Sequence, residues 1–278
     1  MFTLSAFADE ISPDPEIQIA VLKENGVRHI EFRSILETNV LDLSDLQITE
    51  FRSLLDRHGV KLSAIGSPIG KIRIDQPFEP HLQRFQRALD LCQVFGTPNI
   101  RIFSYYRPDQ GDWNTWRPEV MARMEEKIRR AEKAGVRLLH ENEHGIYGDS
   151  PERVCDLLQT LSKQFPVKHF AAAYDPANYV VCGYDPWQSW EATRDWTVHF
   201  HIKDWVAGEK TGRVAGEGQG RIADILTDAV RRSYNGYATL EPHLLRGGPT
   251  GGITGPELFP KAVKALTTLL QAAGASYQ

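Results

Sequence analysis

Four short segments of this chain end in a residue that can ligate a hard metal. They are Glu141 after Leu138-Leu139-His140, Asp175 after Ala173-Tyr174, His201 after His199-Phe200, and Glu241 after Ala238-Thr239-Leu240. Each follows a short apolar run that reads as a buried strand. From Glu141 to Asp175 to His201 to Glu241 the steps are 34, 26 and 40 residues. A strand–helix–strand unit takes about 30 residues or more, and the step between strand ends can be slightly shorter. The four side chains therefore fit the ends of four successive parallel strands. Three carboxylates and one imidazole around a point, with no thiolate, suit one divalent ion such as Mn, Mg, Co or Zn. Such a shell leaves positions for two substrate oxygens, which is what polarising a carbonyl beside a hydroxyl requires. The chemistry implied is metal-assisted and acts on an oxygen-rich substrate.

The elements that must hold these residues alternate along the whole chain. Short β-type runs fall at 3–8, 28–33, 61–65, 99–104, 137–141, 170–174, 197–202 and 237–240. Amphipathic helical stretches follow them at 14–25, 45–58, 81–95, 118–134, 151–164, 187–193, 222–233 and 256–273. In the first of these, Ile17, Val21 and Leu22 share a face, and Ser44 is the expected N-cap of the second. Gly26, Gly59, Gly96, Gly135 and Gly236 stand between helix and strand, where a left-handed cap is expected. Strict alternation predicts a parallel sheet, and eight units in 278 residues predict an α/β fold: a single (β/α)8 TIM barrel over 1–278. An open Rossmann-like sheet is disfavoured because no G-x-G-x-x-G follows the first strand, and Gly216-Glu217-Gly218-Gln219-Gly220 comes only after a long loop. The loops at 142–150, 177–186, 203–221 and 242–255 all follow strands, so they crowd the C-terminal face, where barrels build their active sites. The Gly-rich stretch 246–252 could serve there as a lid.

Taken together, Gly135-Val136-x-Leu138-x-x-Glu141, Asp175-Pro176, His201-Ile202-Lys203-Asp204 and Leu240-Glu241 resemble the xylose-isomerase-like barrel superfamily of sugar and sugar-phosphate isomerases and epimerases. The order and spacing of the ligands are similar to those of ketose 3-epimerases. The resemblance implies a single divalent ion held by Glu141, Asp175, His201 and Glu241. It also implies that Glu141 and Glu241 form an acid/base pair on opposite faces of the sugar. An α-proton is too weakly acidic for a carboxylate unless the developing oxyanion meets a fixed positive charge. Where the epimerases carry a substrate-binding histidine, this chain has Asn178, which donates a hydrogen bond but cannot titrate. The strand ends Gly66-Ser67-Pro68 and Ile102-Phe103-Ser104 lack the extra histidines of the trinuclear endonuclease branch. A metal-dependent dehydratase of an inosose-like substrate is the first alternative. A non-catalytic sugar-binding barrel comes next, and a hydrolytic nuclease last.

Other residues are placed by position. Ser67, Lys71, Arg101 and Ser104 gather at the ends of the third and fourth strands, where they could receive a phosphate or carboxylate. Lys203 follows the ligand histidine and either anchors substrate or pairs with a carboxylate, while His144 and His243 lie in rim loops. Together with Asn178, this makes Ser67, Lys71, Arg101, Lys203 and His243 the candidate substrate contacts. His199 shares the side of His201 and reads as a satisfied core imidazole; His140 should point outward and be structural. Glu31 and Arg33 either pair with each other or face the pocket. Asp9 and Glu10 read as cap or loop-holding residues rather than metal ligands. Tyr105, Tyr106, Trp113 and Trp116 could stack on a sugar face, with a dimer interface the preferred reading, which leaves a homo-oligomer open.

Composition bounds the rest. Apolar residues make up 41% and charged residues 24%, which is ordinary for a soluble globular protein. A net charge of −4 without a basic run gives no footprint for nucleic acid. Three cysteines without a C-x-x-C pair suit a reducing compartment, and no stretch approaches a membrane span or a signal peptide, so a cytoplasmic protein is expected. The partner expected is a small sugar-like molecule.

Overall fold

Eight parallel strands close on themselves in the computed structural model, which describes residues 1–248 and 251–278. They are β1 (Phe2–Ala6), β2 (His29–Phe32), β3 (Lys61–Gly66), β4 (Asn99–Ile102), β5 (Arg137–Glu141), β6 (Phe170–Tyr174), β7 (Thr197–Ile202) and β8 (Gly236–Leu240). β1 pairs with both β8 and β2, so the sheet has no edge. This is the (β/α)8 barrel expected from the alternating pattern. A small hairpin, Ser34–Ile35 against Thr38–Asn39, decorates the loop after β2.

The helices are α1 (Pro15–Glu24), α2 (Asp45–His58), α3 (Phe78–Phe95), α4 (Trp113–Lys133), α5 (Pro151–Leu161), α6 (Pro176–Val181), α7 (Pro186–Thr193), α8 (Ile222–Arg231) and α9 (Phe259–Ala272). Local chemistry sets their ends. Ser44 accepts from the Gln47 N–H, and the Gln47 side chain accepts from the Ser44 N–H at 2.9 Å, so α2 starts on a reciprocal cap. It stops at Gly59, whose φ of 64° would strain any residue with a Cβ.

β7 shows how the barrel sorts its side chains. Phe200 packs outward against Trp190 at 5.3 Å and Tyr234 at 4.9 Å. His199 and His201 therefore point to the barrel axis. The interior is polar at this level: Ser5 and Ser63 hydroxyls meet at 2.7 Å, and His199 Nε2 lies 2.7 Å from the Thr239 hydroxyl.

Four expectations need correction. In α1 the buried residues are Gln18, Ile19 and Leu22, and Ile17 is exposed, because the Gln18 amide turns inward to donate to the Ser12 carbonyl at 2.8 Å. α4 begins five residues before the expected start at 118, since Asp112 caps it by accepting from the Thr115 N–H at 2.9 Å. Pro118 then lies in the second turn, where it forfeits one hydrogen bond near the helix end. The sequence pattern predicts no helix at 176–181, where α6 forms; Asp175 caps it and Pro176 fills its first position. Gly236 is no helix cap: the left-handed residue there is Ser233, with φ 59°. A Cβ on Gly236 would lie 2.3 Å from the Val198 carbonyl oxygen, so close strand approach is what requires glycine.

The cysteines Cys92, Cys155 and Cys182 are unpaired. Among the described residues, no helix is long and apolar enough to cross a membrane. The stretch expected to act as a lid includes Pro249 and Thr250, which lie outside the described residues; its flanks form a hairpin in which Leu245 and Arg246 pair with Ile253.

Candidate metal centre

The C-terminal ends of β5 to β8 bring Glu141, Asp175, His201 and Glu241 together, with one ligand atom from each within 4.8 Å of the others. All four are buried. His201 Nδ1 lies 3.0 Å from Glu141 Oε1 and 3.8 Å from Glu241 Oε2.

Neighbouring residues aim each of them. Glu31, at the end of β2, takes the other ring nitrogen of His201 at 3.1 Å, and this turns Nδ1 toward the cluster. Glu31 also reaches His199 Nε2 at 2.9 Å, so His199 is buried in the core as expected, but it is only half satisfied: its Nδ1 has no hydrogen-bond partner among the described residues. Arg101 donates to Glu141 at 2.5 Å, and Arg33 donates to Glu241 at 2.8 Å. Asn142 ties two strand ends: its amide donates to the Asp175 carbonyl at 2.8 Å and accepts from the Asp175 N–H at 2.9 Å. Phe7 forms a floor, with His201 edge-on at 5.1 Å and the Arg33 guanidinium over its ring at 4.4 Å.

Burial penalises every charge here, and the neighbours decide which charges survive. Burial would raise the Glu141 carboxyl, but His201 and Arg101 bring it down to about 2. Glu241 is held well below the carboxylate range despite burial, chiefly by Lys203 and His243. Burial raises Asp175 to about 6, and Lys203 opposes this only in part. Burial would strip the proton from His201, yet Glu141 and Glu31 hold it there well above the usual imidazole value. A divalent ion fits this donor set. Asp175 Oδ2 and His201 Nδ1 are buried without an aligned hydrogen bond, although Lys203 Nζ stands 2.6 Å from the former. A cation at the cluster would use both lone pairs and replace the His201 proton.

A cavity of about 710 Å³ opens beside the cluster. Five of the expected substrate contacts line it: Lys71, Arg101, Asn178, Lys203 and His243. Lys71 pairs with Glu143 at 3.0 Å and lies over the Phe103 ring. Asn178 donates to Glu141 at 3.3 Å and to the Asn142 carbonyl at 2.9 Å. Ser67 is not brought there. It is fully buried, and its hydroxyl donates to the Arg101 carbonyl at 2.6 Å, so it braces two strand ends. Ser104 likewise turns away and meets His140 at 2.9 Å.

The aromatic patch divides. Tyr106 lines the cavity, Tyr105 is fully buried, and Trp113 packs edge-on against Tyr147 at 5.3 Å. Trp205 also lines the cavity, and the sequence reading missed it although it directly follows His201-Ile202-Lys203-Asp204. The set-aside glycine run has a use as well. The N–H groups of Gly216, Gly218 and Gly220 donate to the Asp204 carboxylate at 2.8, 2.9 and 2.8 Å. A Cβ on Gly218 would lie 2.3 Å from that carboxylate.

A family model described as xylose isomerase-like TIM barrel matches residues 19–269. No curated protein sequence matches significantly. Among solved structures, the probable 3-DHS dehydratase AsbF of Bacillus anthracis superposes with a TM-score of 0.72 at 20% identity, covering 96% of this chain and 98% of that one. A xylose isomerase-like TIM barrel protein from Mycobacterium smegmatis, solved with magnesium, gives 0.75 at 17% identity, covering 99% and 97%. A D-tagatose 3-epimerase-like protein gives 0.75 at 16% identity, covering 99% and 98%. At these identities the likeness is one of fold.

Proposed function

The chain belongs to the xylose isomerase-like TIM barrel family, and from that premise we propose that it is a divalent-metal-dependent isomerase or epimerase of a sugar, sugar phosphate or related polyol carbonyl. The observation that carries this reading is the pair Glu141 and Glu241. Both belong to the ligand cluster, and each is gripped by its own buried arginine. Glu141, Asp175, His201 and Glu241 would hold the ion, which when bound would polarise a substrate carbonyl and stabilise the negative charge that develops on deprotonation.

The chain's own residues do the rest. One glutamate takes the proton α to the carbonyl and the other returns a proton. Arg101 and Arg33 orient both carboxylates, and His201, Lys203 and His243 join them in keeping the pair ionised. Asn178 holds Glu141 in place and is available to a substrate oxygen. Phe103, Tyr106 and Trp205 give the cavity apolar walls that suit the C–H face of a sugar and exclude water from the proton transfers. The solved structures superposing on this chain include proteins described as epimerases and one as a probable dehydratase, and both chemistries start from the same proton abstraction.

The test is a screen of the metal-loaded protein over ketoses, ketose phosphates and inososes in deuterated water. Deuterium at the substrate α-carbon with no change in composition supports the isomerase or epimerase. Loss of water with a new conjugated-carbonyl absorbance replaces it with the dehydratase. Tight polyol binding without exchange leaves a sugar-binding barrel.

A further inference from the structure

Glu10 lies outside the ligand set, yet it is fully buried and grips the β8 loop at both ends. Its Oε2 accepts from the His243 backbone N–H at 2.9 Å and from the Thr254 hydroxyl at 2.7 Å. Its carbonyl accepts from the Thr254 and Gly255 N–H groups, each at 2.9 Å. Its Oε1 lies 3.1 Å from His243 Nε2. His243 needs such a hold, because its φ of 53° is a left-handed conformation that strains a non-glycine residue.

A second metal at Glu10, Glu241 and His243 is the first idea these donors suggest, since their ligand atoms fall within 4.8 Å of one another. Arg33 opposes it. Its guanidinium stands 2.8 Å from Glu241 Oε1 and 3.7 Å from Glu10 Oε1, where a cation would have to sit. The place is already positively charged.

His243 is better read through its ring. Nε2 turns to Glu10 and, at 3.4 Å, to Glu241. Nδ1 makes no hydrogen bond among the described residues and is not among the buried polar atoms, while the residue lines the cavity. Nε2 faces both carboxylates without an aligned hydrogen bond to either; with the proton of the neutral ring drawn to that side, Nδ1 accepts a hydrogen bond when the ring is neutral and donates one when it is charged. A hydroxyl group satisfies either form. A carboxylate or phosphate satisfies only the second.

We infer that Glu10 is a positioning residue: it fixes His243 so that Nδ1 meets a hydroxyl of a polyol substrate beside Glu241. The inference rests on the proposed function. Glu10 does not line the cavity itself and acts through the imidazole.

The test compares Glu10→Gln, His243→Asn and the double variant in the metal-loaded protein. Glu10→Gln keeps an acceptor for the loop but removes the charge from the ring. Each single variant should raise KM for the polyol roughly tenfold, the scale of one hydrogen bond to a charged group, with kcat nearly unchanged. The double variant should match His243→Asn alone, and bound metal should stay at one per chain throughout. Additive effects, a loss confined to kcat, or a fall in metal content in Glu10→Gln would overturn the inference. If Glu10→Gln does not fold, Glu10→Asp, which withdraws the carboxylate by one methylene, carries the same comparison. A wild-type protein that takes up metal but binds no polyol sinks the proposed function and the hydroxyl contact with it. Imidazole 15N spectra then decide the positioning alone: displaced His243 resonances in Glu10→Gln support it, and unchanged ones overturn it.

Discussion

The two halves of the barrel divide the site between them. β5 to β8 carry the four candidate ligands. β2 and β4, with Glu10 after β1, carry the groups that orient and balance them. Three ligands have a partner from the first half: Glu141 with Arg101 on the adjacent strand, His201 with Glu31, and Glu241 with Arg33. Asp175 forms its ion pair with Lys203, from its own half, and has none with the first half among the described residues. The charge states of the four ligands differ as well. The three residues with a first-half partner keep their charged forms, while Asp175 is the one whose charge is disfavoured, its carboxyl raised by burial to about 6. The second half sets most of its own charges, through Lys203, His243 and the Glu141–His201 contact, and the first half adds Arg101, Glu31 and Arg33 to the balance.

This comparison can be broken from either side. The largest effect belongs to the proton carriers: Glu141→Gln and Glu241→Gln should each lower kcat by roughly 10²–10⁴-fold while retaining bound metal. Turnover and metal content measured together decide it, and full activity in both variants removes the acid/base assignment. Next come the counter-charges. Arg101→Leu leaves Glu141 buried without its partner and should cost about 3–5 kcal/mol in the metal-free protein. Saturating Mn or Mg should restore most of that loss, because a cation takes over the charge balance. Denaturant titrations with and without metal test this, and a deficit indifferent to metal would show that Arg101 does not serve the site.

A smaller effect is expected at Glu31, whose removal frees the His201 ring to rotate. Glu31→Gln should weaken metal binding by roughly 10–100-fold, read by calorimetric titration. Unchanged affinity would remove Glu31 from the orienting role.

The smallest effect comes from a buried cation with no carboxylate to meet. Lys127 is fully buried over the Tyr105 ring and has no hydrogen-bond partner among the described residues. Burial, with Arg123 nearby, pushes its ammonium down to about 7. The folded value lies below the unfolded one, so the destabilisation is complete below about pH 7 and fades as pH rises toward the ordinary lysine range. Lys127→Met should therefore stabilise the neutral protein by on the order of 1 kcal/mol and flatten the rise in stability above neutrality. Unfolding curves across that range check both. No gain would mean that buried water already satisfies the amine.

What the sequence disclosed follows the same division. The four ligands stand at strand ends and repeat with the period of a strand–helix unit, so local pattern exposes them. α2 was legible to the residue because its cap and its stop are both written locally. Arg33 and Arg101 were visible as charges at strand ends, but their partners lie 208 and 40 residues away, and nothing local pairs them. Ser67 misled because a hydroxyl at a strand end can face either the pocket or a neighbouring carbonyl, and only the packed register decides. α6 escaped because its six residues give no periodicity, although Asp175-Pro176 carried a start signal.

The glycine cradle around Asp204 has a consequence for ligand entry. Three backbone N–H groups fasten the long segment after β7 to a buried carboxylate, and Trp205, which follows that carboxylate, takes its place in the cavity wall already anchored. A wall ordered during folding surrenders little conformational entropy when a molecule arrives. Affinity on that side of the cavity then depends on shape and contact rather than on loop closure, and selectivity there should change when Trp205 is reshaped and not when the exposed tip near Gly208 is lengthened.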